Sequence, residues 1–253
     1  MKNFILFLLC LYFSNLYAYG VIDKDFSNNN IGNIHEGHNE IILTFDDGPT
    51  RGVTNLILDI LQDYNIKATF FVIGKNVKAN PELMNRILTE GHIVGNHSMT
   101  HTALKKLDPI FWDKKVKSEV LDAHEVIFPY MGNNNQFFFR APEAAWAQKY
   151  ASFLNLDPIG RKYIGPILWD IGGEIEYRNG KYLQAADWAC WSKKISIKDC
   201  MSGYINEARR RKGGVVLMHD LRRQSVEMLA KMIPVLQDEG FIFTNLNDVS
   251  WKL

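Results

Sequence analysis

The sequence predicts an α/β fold: a single distorted or incomplete (β/α) barrel of about seven parallel strands. Three observations point there. Short β-branched and aromatic runs alternate with stretches whose apolar residues recur at the 3.6-residue period, which implies strands joined by crossover helices and therefore parallel pairing. Polar residues of kinds that do chemistry follow the first, third, fourth, fifth and sixth of these runs, and in a parallel barrel those ends share one rim. No Gly/Ser/Pro-rich linker, internal repeat or low-complexity tract divides the body of the chain, and 253 residues suit one barrel-sized domain.

Met1-Lys2-Asn3, the apolar run Phe4 to Phe13 and the small residue Ala18 have the form of a secretory signal peptide over residues 1–18. That run is about half the ~20 residues needed to cross a bilayer, so no membrane span is expected in the mature chain. Export to the periplasm or the medium is expected. Residues 19–39 are polar and turn-prone and read as an irregular arm, with His35 and His38 as solvated loop histidines. The domain itself is expected over residues 40–253. Cys190 and Cys200 remain after export, and an oxidising compartment predicts a disulfide between them; a zinc pair fits less well, because the spacing is wide and no histidine cluster stands nearby. With 29 Lys+Arg against 28 Asp+Glu, net charge +1, neither nucleic acid nor an anionic membrane is recruited by a global field.

The strands follow in order. Ile41 to Phe45 is a buried run that delivers Asp46 and Asp47 into a Gly-Pro turn, and Val53, Leu56, Ile57, Ile60, Leu61 and Tyr64 mark the helix behind it. Ala68 to Ile73 is the second strand. Asn80-Pro81 is read as cap and first turn of a helix to Thr89, and His92 to Gly95 is the third strand, leading into His97. Asp108-Pro109 is read the same way for a long helix whose buried face is Trp112, Val116, Val120, Ala123 and Ile127. Phe137 to Phe139, Gly165 to Trp169, Val215 to Met218 and Phe241 to Thr244 complete the strands, with helices over roughly residues 144–154 and 224–238.

A buried strand does not end in two acids for packing reasons. Neighbouring carboxylates on an extended chain point to opposite sides, so Asp47 can grip a metal while Asp46 faces the reacting group as general base. His97 and His101, four apart on a helical or turn segment, complete with Asp47 a two-His, one-carboxylate set that leaves a position open for water. Zn2+ is the first choice, and Co2+, Mn2+ or Fe2+ fit the same donors. Arg140, directly after three phenylalanines, is placed to keep Asp46 ionised. His219 closes a strand and suits a general acid, which requires a carboxylate partner; Asp187 and Asp170 are both candidates. Among the aromatics after the fourth and fifth strands, Trp188 is expected to wall a pocket for a sugar face. The basic run Arg209 to Lys212 reads as a solvated helix end.

Taken together these pieces resemble the polysaccharide deacetylases of carbohydrate esterase family four, the NodB-homology domain. Thr44-Phe45-Asp46-Asp47-Gly48, His97-Ser98-Met99-Thr100-His101, Arg140-Ala141-Pro142, Asp187-Trp188 and Leu217-Met218-His219 are similar to that family's five motifs and stand in family order. The resemblance implies a distorted barrel that removes N-acetyl groups from amino-sugar polymers, peptidoglycan ahead of chitin-type oligomers. It implies Asp46 as base, Asp47, His97 and His101 as metal ligands, Arg140 as the residue that positions the base, His219 as acid, and oxyanion support from a backbone N–H. Pro142, Glu143, Trp188 and Leu217 are the expected substrate-binding positions, and the partner is an N-acetylated glycan met by a monomer. Two departures stand out. Glu143 occupies the place of the family's usual aromatic residue, and the fourth motif is stretched by Gly172 to Gly180, which is expected to form a rim loop. A non-catalytic glycan binder and an amidase on a non-carbohydrate amide are the rival readings.

Overall fold

All seven expected strands form in the computed structural model, which describes residues 26–31, 38–132 and 137–249. The signal sequence, most of the polar arm and His35 lie outside the described residues. In chain order the strands are β1 (Phe26–Ile31), β2 (Glu40–Asp46), β3 (Thr69–Val72), β4 (Ile93–Asn96), β5 (Phe137–Phe138), β6 (Tyr163–Ile167), β7 (Glu176–Arg178), β8 (Lys181–Gln184), β9 (Gly213–His219) and β10 (Ile242–Thr244). β2 lies at the centre. β9 pairs along one of its edges from Glu40 to Asp46, while β10 and β3 pair with its lower and upper halves, all in parallel. β3 continues to β4, and β5 pairs with β6. Two parallel bridges join the sheets into a ring, Asn96 to Phe139 and Ile171 to Val216. Single bridges in place of full ladders are what distort the barrel.

The two-residue period of the strands sorts the side chains. Ile41, Leu43 and Phe45 pack outward in the core beneath the helices, whereas Ile42 belongs to a second, inner cluster with Phe71, Ile93, Phe138, Ile164, Ile167 and Val215. The same alternation carries upward. Thr44 and Asp46 stand above Ile42, His97 above Ile93, Arg140 above Phe138, and Leu217 and His219 above Val215. The barrel interior is therefore apolar at its floor and polar at its C-terminal rim. This ordering positions the chemistry.

Several expectations need correction. The segment 26–31 is not irregular: it adds β1 to β6 in parallel, a backbone pairing that its Asn-rich sequence does not advertise. β6 ends at Ile167, short of Trp169, because the Ile167 and Leu168 carbonyls accept from the Arg140 guanidinium in place of a neighbouring strand. Asn80 stands at the cap position of the helix Pro81–Thr89 with Pro81 in its first turn, as expected, but its side chain makes no capping bond; its amide donates to Pro49 O and Asn76 O and so tethers the Gly48-Pro49 turn. Asp108 accepts from Ile110 N in a turn, and the helix begins only at Trp112. That helix passes through a π turn, Lys117–Leu121. The helices Gly74–Ala79 and Asp187–Ser192 and the antiparallel β7–β8 hairpin, which the stretched fourth motif forms, were not expected. Cys190 and Cys200 are disulfide-bonded, their Cα atoms 6.4 Å apart, stapling Asp187–Ser192 to the helix Ile197–Arg211. The basic end of that helix is solvated as expected, with Arg209 paired to Glu239. Among the described residues no helix is long and apolar enough to cross a membrane.

Candidate active site

One cavity of about 240 Å³ opens at the polar rim, lined by Asp46, Asp47, His97, His101, Ala141, Glu143, Trp169, Gly173, Trp188, Leu217 and His219. A larger open groove beside Trp112, Phe153 and Leu156 holds no carboxylate or imidazole, so the chemistry belongs to the smaller space. Arg140 lies below it, fully buried. Its Nη1 donates to Asp46 Oδ1 at 2.7 Å and to Thr44 Oγ1 at 2.7 Å, while Nε and Nη2 donate to the Ile167 and Leu168 carbonyls. Four bonds leave the guanidinium one orientation.

Asp46 and Asp47 do not point to opposite sides. Asp47 has φ 78°, and this left-handed turn swings its side chain back over the rim that Asp46 already faces. Asp46 Oδ2 and Asp47 Oδ1 stand 3.7 and 3.3 Å from the same His97 Nε2. The turn is held by Asn76, whose amide donates to Asp47 O at 2.7 Å. Gly48 follows because a Cβ there would fall 1.9 Å from Asp220 Oδ2. Asp220 itself is buried behind the turn, where its Oδ2 accepts from Thr54 Oγ1 at 2.5 Å. Burial pushes its carboxyl up to about 7.

His97 and His101 sit on a loop and not a helix, with Ser98 and His101 at φ 70° and 62°. The nearest donor atoms of Asp47, His97 and His101 all lie within 4.8 Å of one another. His97 Nδ1 is 2.8 Å from Arg140 O. A carbonyl only accepts, so Nδ1 carries the proton and the Nε2 lone pair faces Asp47. Asp47 Oδ1, 3.1 Å from His101 Nε2 and 3.3 Å from His97 Nε2, is buried and makes no hydrogen bond among the described residues. Lone pairs converging on one point without a donor call for a cation. Ligands at about 2.0–2.2 Å from a tetrahedral zinc stand about 3.3–3.6 Å apart, close to the 3.1 and 3.3 Å between Asp47 Oδ1 and the two imidazoles, so the residues fit a divalent ion.

Across the cavity His219 Nδ1 lies 2.8 Å from Asp187 Oδ1. Asp187 Oδ2 accepts from His219 N at 2.7 Å and from Ser225 Oγ at 2.6 Å. Asp170, the other candidate partner, is turned away, its Oδ2 accepting from Val215 N at 2.8 Å. Trp188 and Leu217 line the cavity, and Trp169 is a second indole wall. Gly173 allows that wall to stand, since a Cβ there would meet Trp169 Nε1 at 1.9 Å. Pro142 is buried and does not line the cavity: it opens a short 3-10 turn, and its neighbours Ala141 and Glu143 reach the space instead.

The family model for polysaccharide deacetylase matches residues 34–157. A chitooligosaccharide deacetylase of Bradyrhizobium sp. (strain ANU 289) is 31% identical over 226 residues, which cover 84% of this chain and 90% of that protein. The chain belongs to the polysaccharide deacetylase family. The peptidoglycan-N-acetylglucosamine deacetylase PgdA of Listeria monocytogenes is 32% identical over 212 residues, 83% of this chain but 38% of that longer relative, so the present chain spans well under half its length. The structure of peptidoglycan deacetylase PdaC from Bacillus subtilis matches with a TM-score of 0.62 at 29% identity, covering 83% of this chain and 88% of that one.

Some supports of this polysaccharide deacetylase family site escaped the sequence reading. Thr44 was findable, since it stands two residues before Asp46 on the same strand face. Glu119 was not. It sits on the π turn, buried, and its carboxylate accepts from Thr100 N at 2.8 Å, Thr100 Oγ1 at 2.5 Å, Thr102 Oγ1 at 2.9 Å and Lys115 Nζ at 2.6 Å, clamping both neighbours of His101. Tyr204 is equally remote in sequence: its hydroxyl accepts from Asp187 N at 3.0 Å and donates to Leu217 O at 2.7 Å.

Proposed function

We propose that this chain is an exported, metal-dependent N-deacetylase that hydrolyses acetamide groups of N-acetylated amino-sugar polymers, peptidoglycan first and chitin-type oligomers second. The observation that carries the reading is the convergence of Asp46, the Asp47–His97–His101 cluster and His219 on one cavity from separate strands. A divalent ion held by Asp47, His97 and His101 would supply Lewis-acid polarisation of the acetamide carbonyl and of a water. Asp46 takes a proton from the attacking water as general base, and Arg140 holds it in place and aims it. His219 gives its Nε2 proton to the departing amine as the C–N bond breaks, while Asp187 holds the Nδ1 proton in place. Acetate and a free amino sugar result. The backbone N–H of Glu143 is the expected oxyanion donor, and Trp169 and Trp188 offer flat apolar faces to sugar rings.

The cavity is smaller than the roughly 300–1,000 Å³ pockets that enclose whole ligands, which suits one acetamide-bearing unit entering while the polymer runs over the rim. Relatives named as peptidoglycan and chitooligosaccharide deacetylases support both substrates, and the disulfide suits an oxidising compartment. The test is incubation of the zinc-loaded protein with peptidoglycan fragments and with chitooligosaccharides. Mass loss of one acetyl group per site with matching acetate is expected; glycan binding without acetate release would overturn the hydrolytic reading.

A further inference from the structure

Glu143 is the cavity-lining carboxylate left uncommitted. Asp46 is held by Arg140 at 2.7 Å, and Asp47 faces two imidazoles at 3.1 and 3.3 Å. Asp187, just behind the cavity, is taken by His219 and Ser225. Glu143 is exposed and makes no hydrogen bond or ion pair among the described residues. Its backbone is left-handed, φ 55° and ψ 22°, as is Ala144 at φ 51°. Two such residues in succession turn the chain out of the buried Ala141-Pro142 segment and stand the Glu143 side chain at the cavity rim. Among the described residues no lysine or arginine lines the cavity, so no side-chain ammonium or guanidinium there pairs with Glu143.

An unpartnered carboxylate at the mouth of an indole-walled cavity is a receptor for a cation that arrives with the ligand. In an amino-sugar polymer that cation is the ammonium of a unit lacking its acetyl group. We propose that Glu143 is a specificity-determining residue that pairs with the ammonium of an already deacetylated sugar beside the unit being hydrolysed. The proposal rests on the deacetylase reading above. Its consequence is that partly deacetylated glycan is preferred over fully acetylated glycan, so each turnover prepares its neighbour.

The first test needs no turnover. Calorimetric titration of the zinc-loaded Asp46→Ala protein, in which hydrolysis is suppressed, with glucosamine oligomers and with N-acetylglucosamine oligomers, at about pH 6 where the sugar amine is protonated, gives a ratio of affinities. That ratio is expected to fall about three- to tenfold when Glu143→Gln is added, further with Glu143→Lys, and to shrink with added salt. An equal ratio in the Asp46→Ala protein and in both variants made from it, with melting curves showing all three folded, overturns the proposal. Acetate release from singly deacetylated and fully acetylated oligomers then separates the two ideas. Ammonium-dependent binding without any acetate would sink the hydrolytic reading and keep the Glu143 contact. Acetate release with a substrate ratio and a binding ratio both indifferent to residue 143 would do the reverse.

Discussion

His219 Nδ1 lies 2.8 Å from Asp187 Oδ1, and the other oxygen of that carboxylate is occupied by His219 N and Ser225 Oγ. Burial works against charge on His219, yet Asp187, with Asp46 and Asp47 further off, pushes its pKa up to about 9. An imidazole poised in this way is protonated through neutral pH. Activity should therefore hold to the alkaline side and fall as pH rises through about 9, when the acid is lost. Asp187→Asn should draw that limb down towards the ordinary histidine value of 6.5, as a pH profile of kcat would show. The sign for stability follows, because the folded pKa is the raised one: the contribution is full below about 6.5 and is lost as pH climbs through about 9, read as a falling Tm.

Asp46 and Arg140 are expected to fail differently. Asp46→Ala should cut deacetylation by about 10²–10⁴-fold, the usual range for a general base, while calorimetry still finds the metal bound. Arg140→Ala removes the partner of a buried carboxylate and should cost about 3–5 kcal/mol of stability. Denaturant melts would reveal that loss even where activity is already gone.

Metal affinity should report on Glu119. His101→Ala deletes a proposed ligand outright, whereas Glu119→Gln releases the Thr100 and Thr102 contacts that hold the His101 loop. A fall of about tenfold in zinc affinity is expected for Glu119→Gln, in line with other supports behind a ligand. Unchanged zinc affinity in a folded Glu119→Gln protein would assign the cluster to structure alone. A chelator should abolish activity and added zinc should restore it.

Cys190 and Cys200 close a loop of sequence separation 10. Replacing both by serine should lower stability by about 2–3 kcal/mol through the freed unfolded chain. It should also lower kcat, because Asp187 lies on the helix that the bond staples. A thermal melt with and without reductant measures the first effect, and the double variant's pH profile measures the second.

The order of strands and the columns Ile42–Thr44–Asp46, Phe138–Arg140 and Val215–Leu217–His219 were legible from sequence, since a two-residue period is a local property of the chain. That is why Asp46, Arg140 and His219 could be placed at one rim before any coordinates. The helix start at Trp112 and the strand β1 were less legible, because an Asp-Pro pair suits a turn as well as a cap and an Asn-rich run lacks the apolar pattern that marks a strand.

What the sequence by itself determined, then, is the barrel and the kinds of donors gathered at its open end. Tertiary structure alone decided that Asp47 turns left-handed to share His97 with Asp46, that His219 takes Asp187 and not Asp170, and that Glu119 clamps the His101 loop. The physical reason is range. Alternation along a strand is set between adjacent residues, whereas a positive φ, a choice between two carboxylates and a clamp from a neighbouring helix depend on which backbone groups the packed chain leaves to be satisfied.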